Sequence, residues 1–151
     1  MSSQSESRQT ICTSWAGILF KISSHKKRLL TFLVIHQIIR RFMEGTQPLT
    51  ATQISHNLAI PIRLVREILF DLHESGLIEE TATEYPRERA FLPAIDINRI
   101  TISYIIDKLD MQGQDLAIGE KSEYMKQFSD IQLDLFKAID KSPANKLVKD
   151  I

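Results

Sequence analysis

Residues 48–80 read PLTATQISHNLAIPIRLVREILFDLHESGLIEE, and this stretch decides the fold. Thr50-Ala-Thr-Gln53 has the form of a capping box. In such a box a threonine hydroxyl accepts from the backbone three residues on, while the glutamine side chain reaches back to the cap. The box opens a short helix that buries Ala51, Ile54 and Leu58. Asn57-Leu-Ala-Ile-Pro61 reads as a tight turn. Proline cannot continue the preceding helix but suits the first turn of the next. The spacing predicts a second helix from about Pro61 to Glu74, with Val65, Ile68, Leu69 and Leu72 facing inward. Gly76 then stands where a left-handed carboxy-terminal cap is needed.

Working outward, Ser24 to Glu44 reads as a long helix, with Ser24 as its cap and Gly45 after its last turn. Leu29, Leu30, Leu33, Val34, Ile35, Ile38 and Phe42 make its apolar stripe wide, which predicts burial on more than one side. On the other flank, strands are expected near Leu77–Thr81 and Ala90–Leu92, joined by the polar loop Thr83–Arg89. Ile100-Thr101 opens a further helix that turns Ile102, Ile105, Ile106 and Leu109 inward and stops before Gly113. A last helix covers about 122–140, with Tyr124, Met125, Phe128, Ile131, Leu135 and Phe136 as its apolar positions. The tail 142–151 reads as loosely ordered.

Two helices joined by a tight turn and followed by a hairpin form a winged helix-turn-helix. The expected fold class is therefore mainly α with a small β-hairpin, plus a carboxy-terminal helix. The expected division is a disordered or loosely ordered 1–20, a winged-helix domain at 21–112, and a helix with its tail at 113–151. Within 1–22, Trp15, Ile18, Leu19, Phe20 and Ile22 form a small apolar patch that reads as the start of a packing helix or a cut end of a larger protein.

The chain has 151 residues, enough for one packed domain with a short extension. Its one cysteine, Cys12, excludes an internal disulfide, a zinc ribbon and a CxxC redox site, and points to a reducing compartment. No stretch approaches the roughly 20 apolar residues that cross a bilayer. The most apolar run, Leu29 to Phe42, is broken by His36, Gln37, Arg40 and Arg41. The polar start MSSQSESRQT is unlike a signal peptide, so the expected location is cytoplasmic. His25, His36, His56 and His73 are scattered, and there is no HExxH, P-loop, GxGxxG or GxSxG pattern. The expectation is a non-enzyme with no catalytic residue, no metal and no cofactor.

Net charge is zero but unevenly spread. Residues 1–47 hold seven basic and two acidic residues, and the rest hold twelve basic and seventeen acidic. Lys21, Lys26, Lys27 and Arg28 form the densest basic cluster, a candidate contact for an anionic membrane surface or a nucleic acid backbone, or simply a solvated helix start. On the second helix of the motif, Ile62, Arg63, Arg66, Glu67, Phe70, His73 and Glu74 are expected outward. Arg63 and Arg66 could reach bases or phosphates, with Arg87 and Arg89 adding a basic wing. Against this, Arg63 can pair with Glu67 four residues on. Residues 61–76 sum to −1 and 77–93 to −2, which opposes DNA affinity that rests on neutralising phosphates. Ile62, Arg66 and Phe70 alternatively form a stripe suited to a protein partner, unless Ile62 and Phe70 pack beneath the first helix or the tail.

Two family resemblances follow from these residues. Residues 48–80 resemble the helix-turn-helix of the Rrf2 regulators, and AFLPAIDINRITISYIIDKLD (90–110) matches their pattern of a wing strand followed by a helix opened by Ile-Thr. The chain also resembles, over about 25–151, the cytoplasmic carboxy-terminal domain of the YihY/BrkB membrane proteins, once labelled tRNA-processing ribonuclease BN. RLLTFLVIHQIIRRFMEG (28–45), the PLT turn, IPIRLV (60–65), LPAIDIN (92–98) and ANKLVKDI (144–151) carry that likeness. The second resemblance covers more of the chain and leads. It implies a non-catalytic regulatory or protein-interaction module, detached from its membrane domain, with its basic start near the inner leaflet. The Rrf2 resemblance implies the alternative, a DNA-binding regulator dimerised through 122–140. Many Rrf2 regulators carry an iron–sulfur cluster on cysteines after the wing. This chain has no cysteine there, so no cluster is carried over.

Overall fold

Ser23, one residue before the expected cap, starts the first helix by accepting a 3.1 Å hydrogen bond from the Lys26 backbone. The computed structural model describes residues 21–151, so Cys12 and the patch formed by Trp15, Ile18, Leu19 and Phe20 lie outside the described residues, as does the expectation for 1–20. Helix α1 spans Ser24–Met43 and buries Thr31, Val34, Ile35, Ile38 and Ile39. This three-and-four spacing is one face of a helix, and Leu29, Leu33 and Phe42 of the expected wide stripe stay exposed, so the described residues bury one side of α1 and not several. The buried Thr31 hydroxyl donates to the Lys27 carbonyl at 2.8 Å, which spares it an unpaired polar group.

After Gly45, at φ +66°, the chain enters strand β1, Leu49–Thr50. The capping box is present: Gln53 N donates to Thr50 Oγ1 at 3.3 Å, and Thr50 N to Gln53 Oε1 at 2.9 Å. It opens helix α2, Ala51–Leu58. Ile54 is fully buried, while Ala51 and Leu58 pack from the rim of the core. The turn passes through Ala59 in the left-handed region, at φ 52°. An alanine there costs on the order of 1–3 kcal/mol. The turn is held by Ile60 N bonding to the Ser55 carbonyl at 3.1 Å and Ser55 Oγ to the Ile60 carbonyl at 2.6 Å.

Helix α3, Ile62–Glu74, buries Leu64, Val65, Ile68, Leu69 and Leu72. Gly76, at φ +74°, closes it, and Leu77 N returns to the Leu72 carbonyl at 3.1 Å. That is the bonding of a glycine-terminated helix end, with Leu77 and Leu72 buried beneath it. Strands β2, Ile78–Ala82, and β3, Arg89–Pro93, pair antiparallel as the wing. The sequence pattern predicts a two-stranded hairpin here. The sheet has three strands in the order β1-β3-β2, because Leu49 and Thr50 pair with Phe91 and Ala90. Helix α4, Ile102–Asp110, is capped by Thr101, whose hydroxyl accepts from Tyr104 N at 3.1 Å. Helix α5 spans Glu123–Asp140.

The tail departs from its expected looseness. Val148 N bonds to the Ile100 carbonyl at 3.0 Å, and Ile102 N to the Lys146 carbonyl at 3.1 Å. Val148 is buried in the core. Asn145 accepts from Ser103 N at 2.9 Å and donates to Ser103 Oγ at 2.8 Å, while Ser103 Oγ donates to Asp140 Oδ1 at 2.8 Å. Buried polar atoms need partners, and these three side chains supply one another's. The start of α4, the end of α5 and the tail are thereby tied together.

Candidate nucleic-acid interface

Because Leu64, Val65, Ile68, Leu69 and Leu72 hold α3 against the core, its other face is fixed toward solvent. Arg63, Arg66, Glu67, Phe70, His73 and Glu74 are exposed there, and Ile62 is half-buried. Phe70 is 64% exposed, so it does not pack beneath α1 or the tail.

The wing folds back beside this face and leaves a cleft of about 380 Å³. Arg66, Phe70 and His73 line it from α3, and Arg87 and Arg89 from the wing. Thr50, Ala51 and Thr52 at the start of α2 form one end. Glu80 and Glu88 are its acidic members. Of the six residues expected to meet a partner or DNA, the fold gathers Arg66, Phe70, Arg87 and Arg89 in this cleft and leaves Ile62 and Arg63 outside its lining.

The charge of α3 differs from its sequence sum once its neighbours are placed. Lys27 of α1 bridges Glu67 at 2.7 Å and Asp71 at 2.9 Å. Burial alone pulls the Lys27 pKa down, but the bonds to Glu67 and Asp71 outweigh it and leave the value raised. Lys27 thus stays cationic, engages two of the three carboxylates on α3 and cancels one unit of their negative charge. The expected Arg63–Glu67 pair does not form, since Glu67 is taken by Lys27. Among the described residues, Arg63, Arg66, Arg87 and Arg89 make no ion pair.

The basic cluster at the start of α1 is divided by the same contacts. Lys27 faces α3, and Arg28 meets Asp110 of α4 at 3.5 Å. Lys21 and Lys26 are exposed. A surface of four free cations is therefore absent from the described residues, because two of the four serve the packing of α1.

Some features of this region carried little sequence signal. His73, Glu80 and Glu88 enter the cleft only because the wing crosses α3. Thr50 and Thr52 enter because the capping box points the start of α2 at it. Away from the cleft lining, α5 exposes Tyr124, Met125, Phe128, Ile131, Leu133, Leu135 and Ile139 along its length. Among the described residues no helix is long and apolar enough to cross a membrane.

A capped helix pair joined by a tight turn, a following wing and an outward second helix define a winged helix-turn-helix protein. Solved structures share the arrangement. IscR of T. potens superposes with a TM-score of 0.55 at 14% identity, covering 86% of this chain and 85% of that one. CymR, the global cysteine regulator of B. subtilis, superposes at 0.55 with 16% identity, covering 85% and 94%. A candidate transcriptional regulator from Listeria innocua gives 0.55 at 13%, covering 83% and 82%. No family model and no curated protein matches the chain. The fold neighbours are winged-helix regulators of the Rrf2 type, one of the two families that the sequence resembles. Nothing in the comparisons brings in the YihY/BrkB membrane proteins, ribonuclease BN or a membrane partner.

Proposed function

We propose that this chain is a non-catalytic, Rrf2-like transcriptional regulator that binds duplex DNA through α3 and the wing. In this reading residues 21–112 contact DNA and α5, within 113–151, pairs two copies. The cleft carries the proposal. Arg66, Arg87 and Arg89 converge there with no ion pair among the described residues, while Glu67 and Asp71 are held by Lys27. The net negative charge of segments 61–76 and 77–93 opposes DNA binding. That objection weakens for α3, where Lys27 engages two of those carboxylates and cancels one unit of their charge. Arginines without acidic partners on a convex helix and its wing suit phosphates and guanine edges. Fold neighbours that are themselves regulators support the same reading.

The test is an electrophoretic mobility shift with random duplex DNA across a salt series. Affinity should fall steeply with salt, because neutralised phosphates release counterions. Arg87→Ala or Arg89→Ala should flatten the slope of log affinity against log salt by about one unit if the side chain meets a phosphate. Arg66→Ala should cost about 1–3 kcal/mol on a selected site if it reads a base. Absence of binding at low salt would remove the proposal.

A further inference from the structure

Phe70 is the one large apolar side chain on the outer face of α3 that stands mostly in water. It lies one turn beyond Arg66 and shares the cleft with Arg87 and Arg89. Water is a poor environment for a phenyl ring, so this position favours a partner that offers an apolar group. The three arginines that line the cleft outnumber its two carboxylates, Glu80 and Glu88, and favour an anionic partner. In the major groove a polyanion presents one apolar group on the base edges, the C5-methyl of thymine.

We infer that Phe70 is a specificity-determining residue that contacts a thymine methyl in the bound DNA. The inference rests on the DNA-binding reading above. It also sets a spacing. Four residues advance an α-helix by about 6 Å, and base pairs stack about 3.4 Å apart, so the base read by Arg66 and the thymine met by Phe70 lie about two steps apart. A guanine for Arg66 and a thymine for Phe70, within about two base pairs, is the expected signature.

The experiment uses the full chain. A preferred site is first selected from a pool of random duplexes, and each thymine is then replaced singly by deoxyuridine, which removes only the methyl. One such replacement should weaken wild-type binding about fourfold, the worth of one buried methyl group. In Phe70→Ala the same replacement should have no effect, and in Phe70→Leu it should have a reduced one. Because Phe70 is exposed, both variants should keep the wild-type circular dichroism and melting point. If wild type selects no site from the pool, the DNA-binding reading itself fails. If it selects a site but every thymine replacement affects wild type and Phe70→Ala equally, DNA binding stands and the role given to Phe70 is wrong. Unchanged DNA affinity and selectivity in Phe70→Ala would likewise overturn it, and would turn attention to a protein partner at this cleft.

Discussion

Helices α1 and α5 are alike in length, 20 and 18 residues, and both repeat apolar side chains at helical spacing. α1 buries five residues and α5 buries none. α1 is surrounded by α3, β3 and the returning tail, whereas α5 is held to α4 and, at its last residue, to the tail. Periodicity therefore reports that a face needs cover. It does not report what supplies the cover. In α1 the described residues do so for one face, while in α5 the row from Tyr124 to Ile139 is left uncovered by the described residues.

This contrast predicts very different costs for similar substitutions. Ile35→Ala in α1 removes a side chain with no exposed surface and leaves a cavity. Unfolding by urea should show a loss of about 2–5 kcal/mol. Native domains are stable by only about 5–15 kcal/mol, so a large share of the margin would go. A loss below about 0.5 kcal/mol would mean that α1 is not the centre of the core, and would erase the contrast with α5.

Asn145→Ala comes next, because it cuts the link between the two regions. The change leaves Ser103 N without its acceptor in a residue that is 1% exposed. The expected loss is about 1–3 kcal/mol, the cost of an unsatisfied buried group. Hydrogen exchange should quicken at the Val148 amide while the Ile68 amide stays protected. Uniform exchange across both would show that the tail and the core open as one unit.

The motif at 49–78 was legible because its signals are local. Thr50 and Gln53 are three residues apart, Pro61 opens α3, and Gly76 supplies a left-handed turn that other residues resist. What was hidden depends on residues far apart in sequence. Lys27 meets Glu67 from 40 positions away, so a charge sum over α3 alone misjudged its face. β1 is only two residues long and shows itself as a strand only through Phe91 and Ala90. The tail carries no periodicity, and its order comes from the Ile100 carbonyl and from Ser103, which no local pattern announces. Ala59 adopts a conformation that residue type argues against, so the turn could be located while its backbone could not. The cleft was legible as separate arginines, and its geometry needed the wing to cross α3.

The smallest effect on folding is expected in α5 itself, and it is the most telling. Leu135 is 62% exposed in the single chain, so Leu135→Asp removes no contact from the monomer's core. At high dilution the variant should unfold within about 0.5 kcal/mol of wild type, as surface changes do. At micromolar concentration the two should part. If α5 pairs with a second α5, sedimentation should give the mass of two chains for wild type and of one for the variant. The wild-type melting point should also climb with concentration, because association of the folded form draws the equilibrium toward it. The variant's melting point should stay flat. A wild type that sediments as one chain at every concentration would break the pairing of α5 with itself.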